Sequence, residues 1–179
     1  SSVIGSRAFS RSPEIVSQLS LQACKGLLSE NVFPIVKHIP GHGRAKVDSH
    51  HYLPIIRSSK KILQEDFYPF KSLNKQLLAM IAHIKYLDLD KEKCATYSEP
   101  IISFIKNNLG FEGILFSDDL CMKALKGPYI FRARNAINAG CDIVLHCEPN
   151  ISNTIKSCEG AGYASIRLIE KLKALKTLN

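Results

Sequence analysis

Four short apolar segments, separated by amphipathic segments, constrain the fold of this chain more than any other feature. They cover residues 32–38, 77–84, 113–119 and 141–146. Each has the length of a strand, and the intervening segments are long enough for helices and carry no hairpin signal. Continuous apolar strands between amphipathic helices are typical of a parallel sheet covered by helices. The sequence therefore predicts an α/β fold with about four parallel strands.

The intervening segments predict the helices. Ser12 and Ser98 are expected to be N-caps, because each precedes an apolar-periodic segment with proline near its start. Pro69 is expected to kink or interrupt the second helix. The third helix is expected to end at Gly110. The predicted helices cover residues 12–30, 58–74, 98–110, 129–139 and, in one or two pieces, 152–178.

Polar residues follow every predicted strand at its carboxyl end. In barrels and in doubly wound α/β folds alike, this edge of a parallel sheet carries the functional site. A complete (β/α)8 barrel typically needs about 250 residues, and this chain has 179. With about four strand–helix units of the eight, we expect residues 1–179 to form a single partial barrel domain, roughly half of a complete barrel.

Composition excludes several functional classes. The net charge is +8, but the lysines are spread out and no dense basic run interleaves with aromatic residues, so nucleic acid is not an expected partner. No apolar run approaches the ~20 residues of a membrane span, and no signal peptide opens the chain. The six cysteines form no Cys-x-x-Cys pair, which favours reduced thiols in a cytoplasmic protein over a disulfide framework.

The richest polar segment is the loop after the first strand, which holds four of the six histidines within residues 36–51. Asp48 and His50 are two residues apart, so on extended backbone both side chains point the same way. A carboxylate beside an imidazole orients it for general acid–base work. The alternative is a loop carboxylate beside a solvated histidine. His42, between two glycines, can pack structurally inside the loop.

Two other strand ends carry candidate groups. Asp118 and Asp119 end the third predicted strand, where a carboxylate can act as nucleophile, base or metal ligand. Either can instead cap a helix start or pair with a cation. Lys37 and His38 end the first strand and suit an anionic or polyhydroxylated ligand, although His38 can also be a hydrogen-bonded histidine near the core.

The same histidines and aspartates permit a metal site. Histidine and aspartate at strand ends of a barrel can hold zinc. The sequence contains no His-x-His and no His-Glu-x-x-His pair. A metal-dependent hydrolase is therefore a less favoured alternative.

Two motifs resemble those of glycoside hydrolase family 3 β-N-acetylhexosaminidases. Residues 37–50 read Lys-His-Ile-Pro-Gly-His-Gly-Arg-Ala-Lys-Val-Asp-Ser-His, and residues 116–122 read Phe-Ser-Asp-Asp-Leu-Cys-Met. The segments 5–9, 82–83 and 139–147 are also similar to the family, in the same order. An N-terminal Asp-x-Glu-Gly-Gly segment of the family is absent from this sequence. The resemblance thus implies a TIM-type (β/α)8 barrel of which this chain covers roughly the second half.

The resemblance implies a role for each matching residue. Asp118 matches the nucleophile that forms a glycosyl-enzyme intermediate. His50, supported by Asp48, matches the acid/base dyad on a mobile loop. The family's residues that hold the sugar hydroxyls are matched in this sequence by Lys37, His38 and Arg7. No cofactor and no metal are implied.

The function implied by the resemblance is retaining hydrolysis of terminal β-N-acetylglucosamine from muropeptides or chitobiose-like substrates, in cytoplasmic peptidoglycan recycling. The main alternative is a half-barrel remnant, inactive or dependent on the missing N-terminal half as a partner. Such a half-barrel would expose two sheet edges and much apolar surface.

Overall fold

The computed structural model describes residues 3–176. Its main sheet contains four parallel strands, β1 (Ile35–Ile39), β3 (Leu78–Ile81), β5 (Ile114–Asp119) and β6 (Ile143–Leu145), in the spatial order β1-β3-β5-β6. A small second sheet pairs β2 (Ile55–Ile56) with β4 (Lys85–Tyr86), also in parallel. The four predicted strands are confirmed, each shorter than the apolar segment that indicated it. The two-residue strands were not predicted.

Six α-helices accompany the strands: α1 (Pro13–Ser29), α2 (Lys60–Ser72), α3 (Glu99–Asn107), α4 (Tyr129–Ala139), α5 (Ile151–Ala161) and α6 (Ile166–Lys176). Single 3-10 turns cover Gly5–Arg7 and Ala95–Tyr97. The hydroxyls of Ser12 and Ser98 accept hydrogen bonds from the backbone N–H groups of Ile15 and Ile101, so both predicted N-caps are confirmed.

Two helices differ from the prediction. Helix α2 is not interrupted at Pro69 but continues to Ser72, since a proline this close to the helix end disturbs few of the helix hydrogen bonds. Helix α3 ends at Asn107, before Gly110. The last predicted segment forms two helices, one of the two arrangements expected, and its end at residues 177–178 lies outside the described residues.

The core lies between the main sheet and the helices. It combines strand residues such as Ala79, Ile81 and Leu115 with Leu63 of α2 and Ile105 of α3, all fully buried. Every residue of β3 is buried, as expected for a central parallel strand covered on both faces.

The outer helices leave apolar side chains exposed. In α1 these are Ile15, Leu19 and Leu27, so the apolar positions that predicted this helix lie at the surface. Helix α6 packs across the amino ends of β3 and β5 through Leu168.

Helix α6 also leaves apolar side chains at the surface. Ile166, Ile169 and Leu172 are exposed. Apolar spacing identifies a helix, but which neighbours cover its face depends on tertiary packing.

In the sheet formed by residues 3–176, β1 and β6 are edge strands. Across the described residues, no helix combines the length and apolar character needed to cross a membrane.

The two serine caps predict different stability losses. Ser98 is fully buried, and its hydroxyl also donates to Asp90 at 2.6 Å, so Ser98→Ala removes the cap and a partner of a carboxylate. We expect Ser98→Ala to lower the free energy of unfolding by about 1–3 kcal/mol. Ser12 also donates to a carboxylate, that of Glu14, but its hydrogen bonds are exposed to solvent, so Ser12→Ala should cost only about 0.5–1 kcal/mol. Urea denaturation of both variants measures the difference, and equal losses would contradict the buried role of Ser98.

Candidate active site

Asp118 lies at the carboxyl end of β5, with its side chain 13% exposed. One carboxylate oxygen accepts a hydrogen bond from the backbone N–H of Asp119 at 2.8 Å. The other lies 3.6 Å from His38 Nε2 on β1. One oxygen is therefore fixed by the backbone, and the second faces the side chains of a neighbouring part of the sheet.

His38 and Asp118 both occupy irregular steps of the parallel ladder. The register between β1 and β3 shifts between Lys37 and Ile39, and the register between β5 and β6 shifts between Phe116 and Asp119. Such register shifts redirect side chains relative to a regular strand. The Lys37–His38 and Ile39–Pro40 peptide bonds are both cis.

His38 is an uncharged neighbour of Asp118 at neutral pH. Burial lowers the pKa of His38 to about 4, although the Asp118 carboxylate opposes this shift. The positive charges of Lys37 and Arg7 contribute to the lowering. His38 can therefore donate a ring N–H in this site without adding a formal positive charge.

The two predicted cationic residues belong to the same edge. Lys37 and Arg7 are exposed, and both act electrostatically on His38. The Arg7 guanidinium donates to the carbonyls of Ile4 and Val3, at 3.3 and 3.1 Å. Arg7, from the N-terminal 3-10 turn, thus lies within electrostatic range of His38 on β1.

Asp48 and His50 form a direct pair. His50 Nδ1 lies 2.7 Å from Asp48 Oδ1, which also accepts from the His50 backbone N–H at 2.9 Å. These backbone and side-chain hydrogen bonds lower the pKa of Asp48. With Nδ1–H donated to the carboxylate, Nε2 on the other side of the ring is the nitrogen that can exchange a proton with a substrate. The His50 side chain is 70% exposed.

The loop that carries this pair is tied to the segment that follows Asp118. The backbone N–H groups of Lys123 and Ala124 donate to the carbonyls of His50 and Ser49, each at 3.2 Å. The Asp48–His50 pair therefore lies at the same edge of the main sheet as Asp118, on its solvent-exposed margin.

The first part of the loop is held against α2. A Cβ atom on Gly41 would lie 2.8 Å from the Cβ of Asp66, so only glycine permits this approach. The Gly41 carbonyl accepts from the Tyr86 hydroxyl at 2.6 Å. Arg44 binds Asp66, and it also binds Glu65 at 2.7 Å. The site loop and α2 are consequently one packed unit.

His42 links the two parts of the site. Its buried ring lies 5.2 Å from that of His38. Burial lowers the pKa of His42, whereas the carboxylates of Asp118 and Asp48 both oppose the shift. His42 therefore lies within electrostatic range of both candidate carboxylates. Sequence reasoning assigned it only a packing role, because its partners come from distant parts of the chain.

Asp119 has a different task from Asp118. Its Oδ1 accepts from the backbone N–H groups of Cys121 and Cys147, each at 3.0 Å. It thereby joins the turn after β5 to the segment after β6. Of the two carboxylates left open by the sequence, one faces the site and the other organises the backbone.

His83 supports this edge from inside the protein. It is fully buried, and its Nε2 lies 3.0 Å from the Asp119 carbonyl and its Nδ1 2.6 Å from the Thr96 hydroxyl. Burial lowers the pKa of His83. A neutral ring with its proton on Nε2 satisfies both contacts, donating to the carbonyl and accepting from the hydroxyl. His83 thus fixes the end of β5 beside Asp118.

The sequence did not indicate one group of metal-compatible side chains. Among residues 3–176, the possible ligand atoms of three side chains all lie within 4.8 Å of one another. These side chains are Cys121, His146 and Glu148. It contains none of the histidines and aspartates considered for zinc from the sequence. Cysteine, histidine and glutamate spaced irregularly over 28 positions leave no recognisable motif.

A helix-covered parallel sheet, with its polar side chains gathered at the carboxyl edge, defines a barrel-type α/β protein with a strand-end site. The chain belongs to glycosyl hydrolase family 3: the profile "Glycosyl hydrolase family 3 N terminal domain" matches residues 1–175. The predicted family and the TIM-type (β/α)8 fold class, with about four strands present, are therefore confirmed.

Curated relatives and solved structures agree with this membership. A beta-hexosaminidase of Thioalkalivibrio sulfidiphilus is 40% identical over 151 residues, which are 82% of this chain and 44% of the relative. One from Bordetella avium is 35% identical over 161 residues, 87% of this chain and 46% of the relative. The chain thus spans less than half the length of these relatives.

Among solved structures, NagZ from Neisseria gonorrhoeae in complex with N-trifluoroacetyl-D-glucosamine superposes with a TM-score of 0.84 at 34% identity. The match covers 97% of this chain and 51% of that one. A family 3 beta-N-acetylglucosaminidase from Paenibacillus sp. str. FPU-7 also gives 0.84, at 27% identity, over 98% of this chain and 36% of that one.

The low pKa of His38 predicts a pH-dependent stability. An unfolded histidine titrates near pH ~6.5, whereas folded His38 stays neutral down to about pH 4. Between these values the unfolded chain binds a proton that the folded chain does not. The free energy of unfolding should therefore fall as the pH drops through this window. NMR titration of the His38 ring nitrogens measures the pKa directly.

Asp118→Asn is the matched variant for this titration. The carboxylate raises the pKa of His38, so its removal should lower that pKa further. An unchanged or higher pKa in Asp118→Asn would show that the two side chains do not interact.

Proposed function

We propose that this chain supplies the catalytic edge of a retaining β-N-acetylglucosaminidase. The observation that carries the proposal is one sheet edge holding both a largely buried carboxylate, Asp118, and an aspartate-supported histidine, His50. Retaining glycosidases need a nucleophile and an acid/base group, usually two carboxyl groups. Here the histidine takes the second role. Relatives named beta-hexosaminidase support this reaction class.

Asp118 is the proposed nucleophile. Its oxygen attacks the anomeric carbon while the glycosidic bond breaks, and a covalent glycosyl-enzyme forms. His50 Nε2–H gives its proton to the departing oxygen. The neutral ring then takes a proton from water as that water attacks the same carbon, whose bond to the Asp118 oxygen breaks and frees the carboxylate. Two displacements at one carbon retain the configuration. Asp48 holds Nδ1–H, which keeps Nε2 available in both steps.

Lys37, His38 and Arg7 are the proposed sugar-binding residues. The exposed cations and the neutral His38 ring offer hydrogen-bond donors around Asp118, and sugar hydroxyls accept such bonds. The neutral form of His50 carries no negative charge, so it repels an anionic group of the substrate, such as a lactyl carboxylate, less than glutamate would.

The proposed substrate is a terminal β-N-acetylglucosamine on a muropeptide or chitobiose-like acceptor, as in peptidoglycan recycling. The N. gonorrhoeae structure holds an N-acylated glucosamine, which supports this sugar. We propose a reducing compartment, the cytoplasm, since all six cysteines are free.

A second candidate is a half-barrel that requires further strands. The chain spans less than half of its curated relatives. Edge strands β1 and β6 and the exposed apolar residues of α1 and α6 support pairing with additional barrel units. In this proposal the missing N-terminal half, covalently linked or separate, covers those faces and completes the sugar pocket. An inactive remnant would bind no such half.

Asp118→Asn tests the nucleophile. Hydrolysis of a chromogenic N-acetylglucosaminide by the complete, active protein should fall by at least about 10³-fold. Asp119→Asn is the control, because an amide oxygen still accepts from both backbone N–H groups, and its turnover should stay within about tenfold of the parent. Unchanged turnover in Asp118→Asn would remove Asp118 from this role. Activity that requires added barrel strands would favour the half-barrel proposal.

His50→Asn tests the acid/base group through its dependence on the leaving group. Substrates with poor leaving groups should lose about 10²–10⁴-fold in rate, whereas a dinitrophenyl glycoside should lose far less, because its departure needs no proton. His51→Asn, at the exposed neighbouring histidine, is the matched control. Equal losses on both substrates would argue against proton transfer by His50.

A further inference from the structure

We propose that Cys121, His146 and Glu148 form a Zn²⁺ site at the carboxyl edge of the sheet, separate from the residues proposed for glycoside hydrolysis. The thiol, imidazole and carboxylate come from three points of the chain, and their ligand atoms all lie within 4.8 Å of one another. This inference goes beyond the proposed function and does not depend on it.

The spacing of the donor atoms suits a tetrahedral ion. Cys121 Sγ lies 3.4 Å from His146 Nδ1. Zinc bonds of about 2.3 Å to sulfur and about 2.1 Å to nitrogen, at a tetrahedral angle, place those two atoms about 3.6 Å apart. An ion can therefore bridge them with little movement of either side chain.

The position of each ligand follows from the strands. Cys121 lies two residues beyond β5, His146 directly follows β6, and Glu148 lies two residues further on. Since β5 and β6 are paired in parallel, their carboxyl ends bring the three side chains together. A bound ion would connect the turn after β5 to the segment after β6.

A neighbouring side chain holds the carboxylate ligand in place. Asn153 Nδ2 donates to both oxygens of Glu148, at 3.2 and 3.1 Å. Such partners orient ligands and tune their affinity for metal. The Ser157 hydroxyl lies 3.0 Å from His146 Nδ1, the nitrogen that would bind the ion, so an ion there would replace this hydrogen bond.

The ring of His146 turns Nδ1, and not Nε2, toward the cluster. Its Nε2 atom is buried and has no hydrogen-bond partner among residues 3–176, whereas Nδ1 faces the Cys121 thiol and the Ser157 hydroxyl. A neutral ring that carries its proton on Nε2 has its lone pair on Nδ1, and that lone pair is the one that an ion would take.

The donor set favours zinc over the common hard cations. Magnesium and calcium prefer oxygen ligands, whereas zinc accepts sulfur, nitrogen and carboxylate oxygen in tetrahedral sites. Three protein ligands leave a fourth position for water or for the Ser157 hydroxyl. Binding converts the Cys121 thiol to a thiolate, and the thiol proton passes to solvent.

Titration of the purified protein with Co²⁺ and then Zn²⁺ tests the site. We expect one Co²⁺ per chain, with a thiolate-to-cobalt charge-transfer band and ligand-field bands of tetrahedral intensity. One equivalent of Zn²⁺ should bleach them and raise the thermal unfolding midpoint. No readout involves glycoside hydrolysis, so failure here is distinguishable from failure of the proposed function.

Variants locate the ion. Cys121→Ser should abolish the charge-transfer band, and His146→Asn and Glu148→Gln should each weaken Co²⁺ binding at least about tenfold. The matched controls are Cys158→Ser and His51→Asn, which change an exposed cysteine and an exposed histidine outside the cluster, and both should bind as the parent does. Near-ultraviolet circular dichroism of each metal-free variant verifies that it is folded.

Three outcomes would overturn the proposal. The first is that Co²⁺ shows no saturable binding to the folded parent protein. The second is that the charge-transfer band persists in Cys121→Ser. The third is that Asp118→Asn or His50→Asn loses Co²⁺ binding while His146→Asn retains it. The last result would place the ion among the residues proposed for hydrolysis.

Discussion

The parallel pairing of β3 with β1 on one side and β5 on the other is the constraint on which the whole site depends. Met80 pairs with Lys37 of β1 and with Phe116 of β5, so His38 and Asp118, which follow within two residues, reach the same level of the sheet. Because side chains alternate along a strand, a one-residue slip would turn these groups away from each other. The fully buried Ala79 and Ile81 hold the register, and core packing thus determines the distance between catalytic candidates.

Burial makes this edge rich in hydrogen-bonding groups but poor in formal charge. The pKa values of His38, His42 and His83 are all lowered, in each case chiefly by burial. At neutral pH these rings are neutral, and the cationic character near Asp118 comes from Lys37 and Arg7 at the exposed margin. A polyhydroxylated, uncharged sugar ring suits such a surface better than a polyphosphate would, since the surface offers directional donors and little net charge.

Local patterns predicted the elements of the fold, and long-range contacts decided the rest. Periodicity and the serine caps identified four strands and most helix starts, because those signals depend on residues a few positions apart. The short paired strands β2 and β4 were not predicted, since two residues per strand are too few to show an alternation of apolar and polar side chains. Local patterns did not distinguish Asp118 from Asp119, because the contacts that separate them lie on other strands and loops, and only the family resemblance singled out Asp118. The central position of His42 was not predicted for the same reason. The exposed faces of α1 and α6 depend likewise on which elements surround them.

The position of β1 at one edge of the sheet links assembly to ligand affinity. Lys37 and His38 lie on this strand, so any strand that adds to its open side would order the backbone that carries them. Sugar binding would in return favour the conformation of β1 that accepts the added strand, since the two equilibria share one free energy. If the proposed sugar binding and the proposed half-barrel both hold, ligand occupancy and completion of the sheet would be reciprocal effectors, and the affinity for sugar would measure assembly.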